Sequence, residues 1–389
     1  MKVGIVVPHI FMHRDILPNV IFAPAKLALD LSEGLQKEGA EVTLFSPGPI
    51  DTTVQNITAD LSYFEKELAG RGDTYIDLLK KHAFTFVTLA RQVQSEIIAK
   101  AFDMANRGEL DIVHIYTNEE DTALPFAKLC SKPVVFTHHD PFNFLVKYKN
   151  VFPKYKDLNW ISMSHAQRSG MPKDTNWVGN IYHGIDKNLY TPVEKPSNDY
   201  FAYLGRIIEP KGVHLAIAAV KQYNQTASKP LRLKIAGKHY AGHKKDTYWQ
   251  EKIVPELDDP NIEYVGFIGD ATAKQEFLGN AKALVVPSIF DEPFGMVMIE
   301  ALACGTPIVG LASGAIPEVI DDTITGCVVQ KRMSENNIDE SATTQSLKDA
   351  LYQVAKADRT SCRRAFEQRF TAEDMSKQHM NIYQLLNHA

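Results

Sequence analysis

The residues best suited to act on a ligand cluster in the second half of the chain, each time just after an apolar run. Gly205-Arg206-Ile207-Ile208-Glu209-Pro210-Lys211-Gly212 follows the apolar stretch Tyr200–Leu204. Gly205 permits a tight exit from a sheet, and Pro210 suits the opening turn of a helix. Arg206 and Lys211 then flank a helix N-terminus, where free amides and the helix dipole favour an anion. A diphosphate fits that chemistry, because Arg grips two oxygens at once and Lys adds a point charge. Taken alone, two basic residues beside a turn are more often plain surface charges.

A second cluster runs from Pro287-Ser288 through Asp291-Glu292-Pro293-Phe294-Gly295-Met296-Val297 to Glu300-Ala301, after the apolar run Lys282–Pro287. Roughly one pair of glutamates at the spacing of Glu292 and Glu300 is expected by chance at this composition. Geometry is more informative than spacing. Even on one continuous helix, eight residues separate their Cα atoms by ~12 Å, against the ~5 Å between the carboxyl groups of a retaining glycosidase. Two acids so placed suit the two ends of an extended ligand, with the amides of Phe294–Val297 facing its phosphates. A loop carboxylate and a solvated helix acid are the ordinary readings of the same residues.

In the first half, Thr137-His138-His139-Asp140-Pro141 follows the apolar run Pro133–Thr137. Neighbouring residues on an extended segment point in opposite directions, so one metal ion rarely takes both histidines. One histidine directed into a ligand site is the functional reading, and a hydrogen-bonded structural histidine the ordinary one.

These clusters need elements to hold them. Apolar runs Lys2–Pro8, Glu41–Ser46, Asp111–Tyr116, Pro133–Thr137, Trp160–Ser164 and Trp177–Tyr182 alternate with helical patterns such as Leu27, Leu31 and Leu35, which Gly39 ends. The alternation restarts with Tyr200–Leu204 and continues through Leu231–Ala236, Ile262–Val265, Lys282–Pro287, Pro307–Gly310 and Gly326–Val329. Strands apolar on both faces and separated by helices predict α/β domains with parallel sheets. The polar, Pro192- and Pro196-bearing stretch Asn188–Asn198 reads as a linker. Residues 1–190 are therefore expected to form one Rossmann-like domain, 191–365 a second, and 366–389 a terminal helix. Ser62–Asn106 is expected to be one or two long helices. The pattern over Arg363–Leu386 is helical too, and its periodicity allows that helix to close the second domain or to cross back to the first. Two such sheets on either side of a linker would bind ligands beyond the carboxyl ends of their strands.

At 389 residues the chain is long enough for two cores, and 44% apolar with 23% charged residues is the balance of a globular protein. A net charge of −5 gives no reason to expect nucleic-acid binding. Cys130, Cys304, Cys327 and Cys362 lie far apart without metal-ligand spacing, which points to free thiols in a reducing cytoplasm. The first residues, Met1–Pro8, read as a strand and not as a signal peptide, and no run approaches the ~18–20 apolar residues of a bilayer span. The stretches Lys147-Tyr148-Lys149 and Lys154-Tyr155-Lys156 read as a solvated loop or, more sharply, as a contact for an anionic acceptor or the inner membrane face.

Taken together, the segments resemble glycosyltransferase family 4, the retaining GT-B enzymes that use nucleotide sugars. The likeness is strongest from Trp160 to Val329. Its stretches are Val42-Thr43-Leu44-Phe45, Ile161-Ser162-Met163-Ser164, His183-Gly184-Ile185-Asp186, Leu204-Gly205-Arg206 with Lys211-Gly212, Ile235-Ala236-Gly237 and Ala283–Ser288. Most specific is Glu292-Pro293-Phe294-Gly295-Met296 through Glu300-Ala301-Leu302-Ala303-Cys304-Gly305-Thr306-Pro307, followed by Gly314-Ala315-Ile316-Pro317-Glu318.

The resemblance implies a GT-B fold of two Rossmann-like domains, the second of which holds the donor, with a terminal helix crossing back onto the first. It implies that Arg206 and Lys211 neutralise the donor diphosphate, that Glu292 contacts the donor sugar, and that Glu300 holds the ribose. The amides around Phe294, Gly295, Met296 and Val297 would complete the phosphate cradle, and Gly266-Phe267 would lie against the base. His139 would stand near the transferred sugar. The chain departs from the family after its first strand. Many members carry a Gly-Gly loop there, whereas Pro8–Val20 contains no glycine, so the acceptor does not carry over by analogy.

The activity implied is transfer of a hexose, with UDP-sugars as the default donors, to the hydroxyl of a sugar, a lipid-linked glycan or a small molecule, with retained configuration. No cofactor and no metal are expected, since two cations and helix amides take the metal's usual role and no Asp-x-Asp motif occurs. The rivals are a sugar-nucleotide epimerase or hydrolase and a non-catalytic sugar-nucleotide-binding protein. Consumption of donor without acceptor separates the first rival from a transferase.

Overall fold

The computed structural model describes residues 1–20, 22–116, 119–239, 246–334 and 337–388. They form two compact units, one of Met1–Met163, Arg168–His183 and the chain end from Ala372, the other of Ser164–Gln167 and Gly184–Thr371.

In the first unit, seven strands form one parallel sheet: β1 (Lys2–Val6), β2 (Glu41–Ser46), β3 (Gln55–Thr58), β4 (Ile112–Tyr116), β5 (Val134–Thr137), β6 (Asn159–Ser162) and β7 (Trp177–Asn180). Their order is β3-β2-β1-β4-β5-β6-β7, so the strand order reverses between β1 and β4. β1 pairs on one side through Val3 with Val42 and on the other through Val3 with Ile112. Every residue of β4 is buried, as expected of a central strand covered on both faces. The crossovers include α1 (Ala23–Lys37), α2 (Ser62–Arg71), α3 (Tyr75–Lys81), α4 (Ala83–Asn106) and α5 (Val146–Val151).

Two expectations change here. Ser62–Asn106 holds three helices, not one or two. Gly72 ends α2 in the left-handed region (φ 68°), and Thr74 opens α3 with a reciprocal capping box to Asp77. β3 was not anticipated, because its short sequence QNIT is polar and pairs only with β2, at the edge of the sheet.

The second unit contains a six-stranded parallel sheet of β8 (Tyr200–Leu204), β9 (Arg232–Ala236), β10 (Ile262–Gly266), β11 (Ala283–Val286), β12 (Ile308–Leu311) and β13 (Gly326–Val329). The order β10-β9-β8-β11-β12-β13 repeats the pattern, with the reversal between β8 and β11. Its helices are α6 (Val213–Thr226), α7 (Ala271–Gly279), α8 (Met296–Ala303), α9 (Ile316–Val319), α10 (Glu340–Gln353) and α11 (Arg359–Arg369), and a two-residue pair, β14 (Met333–Ser334) and β15 (Asn337–Ile338), lies outside the sheet. Phe201, Leu233, Ile235, Val285 and Val309 from the strands pack with Leu215, Val220 and Leu347 of α6 and α10 in one core.

The helical pattern over Arg363–Leu386 is divided. α11 stops at Arg369, and the terminal helix Ala372–His388 belongs to the first unit. Between them the buried Phe370 accepts a hydrogen bond from the Ile185 amide (3.0 Å), and Thr371 bridges to Ile185. The terminal helix lies close on α1, where a Cβ on Gly34 would stand 2.0 Å from the Ser376 Oγ. Tyr383 from this helix bonds His114 of β4 at 2.6 Å. Three of the four cysteines are buried, and all four are free thiols.

Candidate functional site

The site in the second unit is assembled from the loops that leave β8 and β11, the two strands between which the sheet order reverses. Three glycines allow the strand exits to pack side by side. Gly205 follows β8 and donates to the Ala236 carbonyl at 3.0 Å, while Gly237 donates to the Gly266 carbonyl at 2.8 Å. A Cβ on Gly237 would stand 1.8 Å from the Gly205 carbonyl oxygen, so no larger residue fits between these exits. Gly212, at φ 68°, leaves only 2.1 Å between a would-be Cβ and the Pro287 carbonyl oxygen. The turn carrying Lys211 is thereby pressed against the end of β11. The Ile289 amide donates back to the Pro210 carbonyl at 2.8 Å, locking the two loops together.

Lys211 and Glu292, far apart in sequence, meet here in an ion pair through Glu292 Oε1. Glu292 is buried, and the Ser288 hydroxyl donates to the same oxygen at 2.7 Å. The Lys211 ammonium also sits 4.8 Å from the Phe290 ring centroid. Gly314 holds the backbone of Glu292 from behind. It lies at φ 56°, and a Cβ there would come within 2.2 Å of the Glu292 carbonyl oxygen. Ala315 donates to that oxygen at 2.8 Å. Arg206, by contrast, is exposed at the mouth of the β8 exit, where its carbonyl accepts from the Tyr203 hydroxyl at 2.8 Å.

The other acid takes separate partners. Glu300 on α8 accepts from Lys274 of α7 at 2.8 Å and from the Tyr190 hydroxyl at 3.4 Å. Burial, reinforced by the Glu300 carboxylate, raises the Tyr190 phenol above its usual range and keeps it a donor. Between the two acids, Gly295 at φ 95° caps α8, so Met296 and Val297 occupy its first turn with amides that the helix itself leaves free. The Phe294 ring is buried near Phe370, which leaves its backbone as the part able to face a ligand. Gly266 ends β10 at φ 84°, and the next residue, Phe267, is half exposed with the Lys238 ammonium 4.2 Å from its ring centroid.

His139 belongs to the other unit, where it follows β5. Its ring stacks on His183 (5.1 Å, 10° between planes) and meets Tyr116 edge-on at 4.6 Å. Burial first, then His183, pushes its pKa well below the usual histidine value, so the imidazole is neutral at neutral pH. Its neighbour His138 is fully buried and lies 3.1 Å from Glu120, consistent with opposite directions for the two side chains.

The structure thus joins Lys211 with Glu292, gives Glu300 a separate pair of partners, and places Arg206, Phe267 and the first turn of α8 on strand exits of the same sheet. Lys274 and Lys238 were missed. Neither stands in a motif, and only the fold brings them to Glu300 and Phe267.

Comparison with known proteins agrees with this picture at a coarse level. Residues 189–356 match the family described as Glycosyl transferases group 1. Over 138 residues the chain is 30% identical to the lipopolysaccharide 1,2-N-acetylglucosaminetransferase of Salmonella typhimurium, a stretch covering 35% of this chain and 36% of that protein. The chain spans less than half the length of this and other leading curated relatives, 36% to 47%. Among solved structures, the sucrose-phosphate synthase from Thermosynechococcus elongatus superposes over 99% of both chains with a TM-score of 0.71 at 19% identity. HepE of Anabaena, solved in complex with UDP-glucose, superposes over 100% of both chains with a TM-score of 0.65 at 17% identity. The two-sheet GT-B fold expected from the sequence is borne out. Among the described residues no helix is long and apolar enough to cross a membrane.

Proposed function

We propose that the chain is a retaining glycosyltransferase of family 4 that moves a hexose from a nucleoside diphosphate, UDP by preference, to an acceptor hydroxyl. The observation that carries this reading is the Lys211–Glu292 pair at the point where the second sheet reverses its strand order, the place where open α/β sheets bind ligands. A cation and a carboxylate fixed side by side suit the two parts of a sugar nucleotide that meet at the bond to be broken. Lys211, with Arg206 and the first amides of α8, faces the diphosphate, while Glu292 accepts from sugar hydroxyls. Glu300, held by Lys274 and Tyr190, takes the ribose, and the exposed Phe267 ring takes the face of the base. UDP is favoured because HepE, a protein of the same fold, was solved with UDP-glucose.

In the reaction, the bond from the anomeric carbon to the diphosphate oxygen breaks as the acceptor oxygen bonds to that carbon on the same face. The acceptor proton passes to the departing phosphate. Negative charge grows on the diphosphate, and cations and amides already aimed at it stabilise the transition state without reorganising. No protein nucleophile is needed, and no metal is part of the scheme. Burial and His183 keep His139 neutral, so the role the resemblance gives it calls for no charge.

Proton NMR of the earliest product tests the reading. Retention of the donor's anomeric configuration is the expected result, and an inverted product would exclude family 4 chemistry.

A further inference from the structure

The two sheets share a strand order, and the first unit has its own reversal point, between β1 and β4. In the second unit the loops leaving the equivalent strands bring Lys211 to Glu292. In the first unit they bring His9, after β1, to Glu119, after β4, with Nε2 and Oε1 3.9 Å apart. That separation is too long for a hydrogen bond, and among the described residues neither atom makes one. Both side chains keep about a fifth of their surface open, 19% for His9 and 21% for Glu119, so a solute can reach the gap.

The imidazole is oriented for this. The Phe11 amide donates to His9 Nδ1 at 3.2 Å, which makes Nδ1 the acceptor and leaves the proton on Nε2, the atom facing Glu119. The ring is held against Phe22 (4.5 Å, 30° between planes) and by the edge of Phe11 at 4.6 Å. Burial, and then Lys147, lowers its pKa to about 4, so it stays neutral. A fixed N–H donor and a carboxylate acceptor thus face one another across a gap that one oxygen can bridge. A hydroxyl oxygen about 2.8 Å from each atom can accept from the imidazole and donate to the carboxylate. A carbonyl or a phosphate oxygen can do only the first.

The surroundings select further. Asp121 stands in the same loop as Glu119, and the cations beside these two acids are already engaged. Lys147 lies 3.0 Å from Asp121 and 3.5 Å from Glu119, and Arg91 3.2 Å from Asp121. A phosphate arriving here would meet carboxylates and would have to strip them of their partners.

We propose that His9 and Glu119 clasp one hydroxyl of the acceptor, and that the acceptor presents an uncharged polyol ring, a sugar or cyclitol without phosphate, to the reversal point of the first sheet. This rests on the glycosyl-transfer reading above and adds its acceptor class. The Gly-free sequence after β1 has a physical purpose on this view. His9, Phe11 and Phe22 build a stiff aromatic wall where a Gly-Gly loop would leave open backbone.

The test uses the full chain with whichever of UDP-glucose, UDP-N-acetylglucosamine or GDP-mannose stabilises it most to heat. Transfer to myo-inositol and glucose is compared with transfer to myo-inositol 1-phosphate and glucose 6-phosphate, beside donor consumption without acceptor. The uncharged acceptors should show kcat/KM at least tenfold above their phosphate esters. Glu119→Gln and His9→Phe should each raise KM for the uncharged acceptor about tenfold, the scale of a lost hydrogen bond to a charged or buried group, and the heat stabilisation by donor reports that each variant is folded. Donor stabilisation with no consumption of donor under any condition would sink the transferase reading itself. Donor consumption combined with equal or better use of the phosphate esters, with transfer to none of the four, or with KM shifts under threefold in both folded variants would overturn this inference alone.

Discussion

At the scale of single residues, Lys211 and Arg206 have the same charge in different settings, and the setting decides what each substitution does. Lys211 is bonded to the buried Glu292, so its ammonium is already positioned before a donor arrives, whereas Arg206 is exposed and must be ordered by the ligand. Truncating either should lower transfer by roughly 10²–10³-fold, the scale for removing one donor aimed at transition-state charge. The two should differ in stability. Lys211→Ala leaves the Glu292 carboxylate, among the described residues, with the Ser288 hydroxyl alone, and an uncompensated buried acid costs several kcal/mol. Arg206→Ala, at the surface, should stay within about 0.5 kcal/mol of the parent. Measuring kcat/KM and chemical denaturation on both variants checks this. A Lys211→Ala protein as stable as Arg206→Ala would show that the ion pair does not hold the loop.

At the scale of elements, glycines decide where the loops can go. Gly314 and Gly39 both have positive φ, 56° and 88°, but a Cβ on Gly314 would strike the Glu292 backbone while one on Gly39 would meet nothing within 4 Å. Gly39→Ala should therefore cost only the left-handed strain, about 1–2 kcal/mol, and leave donor affinity alone. Gly314→Ala should cost more and also weaken UDP-sugar binding by tenfold or more, because the loop bearing Glu292 must shift. Calorimetric titration of both variants with UDP-glucose distinguishes them, and equal affinities would show that Gly314 does not set the loop. This difference also marks what was legible beforehand. The parallel sheets were readable because central strands such as Ile112–Tyr116 are apolar on both faces, and the Arg206, Lys211 and Glu292 segments because they follow such strands. The edge strand Gln55–Thr58 was not, since one-sided pairing leaves it no apolar requirement. The division of Ser62–Asn106 was written in Gly72 and the Thr74–Asp77 box, and the break before Ala372 in Thr371 followed by Glu373 and Asp374; in both places unbroken apolar periodicity masks the local signal. Lys274, His9 and Glu119 acquire meaning only through topology, which no local spacing encodes.

At the scale of the whole molecule, titratable burial is distributed unequally between the two units. Burial is the leading cause that lowers the pKa of seven histidines in the first unit: His9 and His379 to about 4, His138 and His183 to about 3, His114 and His139 well below the usual value, and His13 more modestly. Among the described residues of the second unit only His214 shows such a lowering. The sign follows from proton counting. An unfolded histidine takes up its proton near pH 6.5, whereas the folded ones resist it below that value, His9 and His379 until about pH 4 and His138 and His183 until about pH 3, so over that range the unfolded state binds more protons. Their contribution to stability is complete above about pH 6.5 and is lost as pH falls. Each fully differing histidine contributes about 1.4 kcal/mol per pH unit, and several act together in the same unit. Glu120 opposes the trend, since burial raises its pKa well above the carboxylate range and the folded state holds its proton more tightly. Glu119, also raised by burial, adds to that opposition, and two acids do not offset seven histidines. The first unit should therefore lose its protection between pH 6.5 and 4 while the second retains most of its own. Hydrogen exchange followed by mass spectrometry across that range, read separately on peptides from β4–β5 and from β8–β11, measures this directly. Loss of protection in both sheets at the same pH would show that the buried histidines do not govern acid stability.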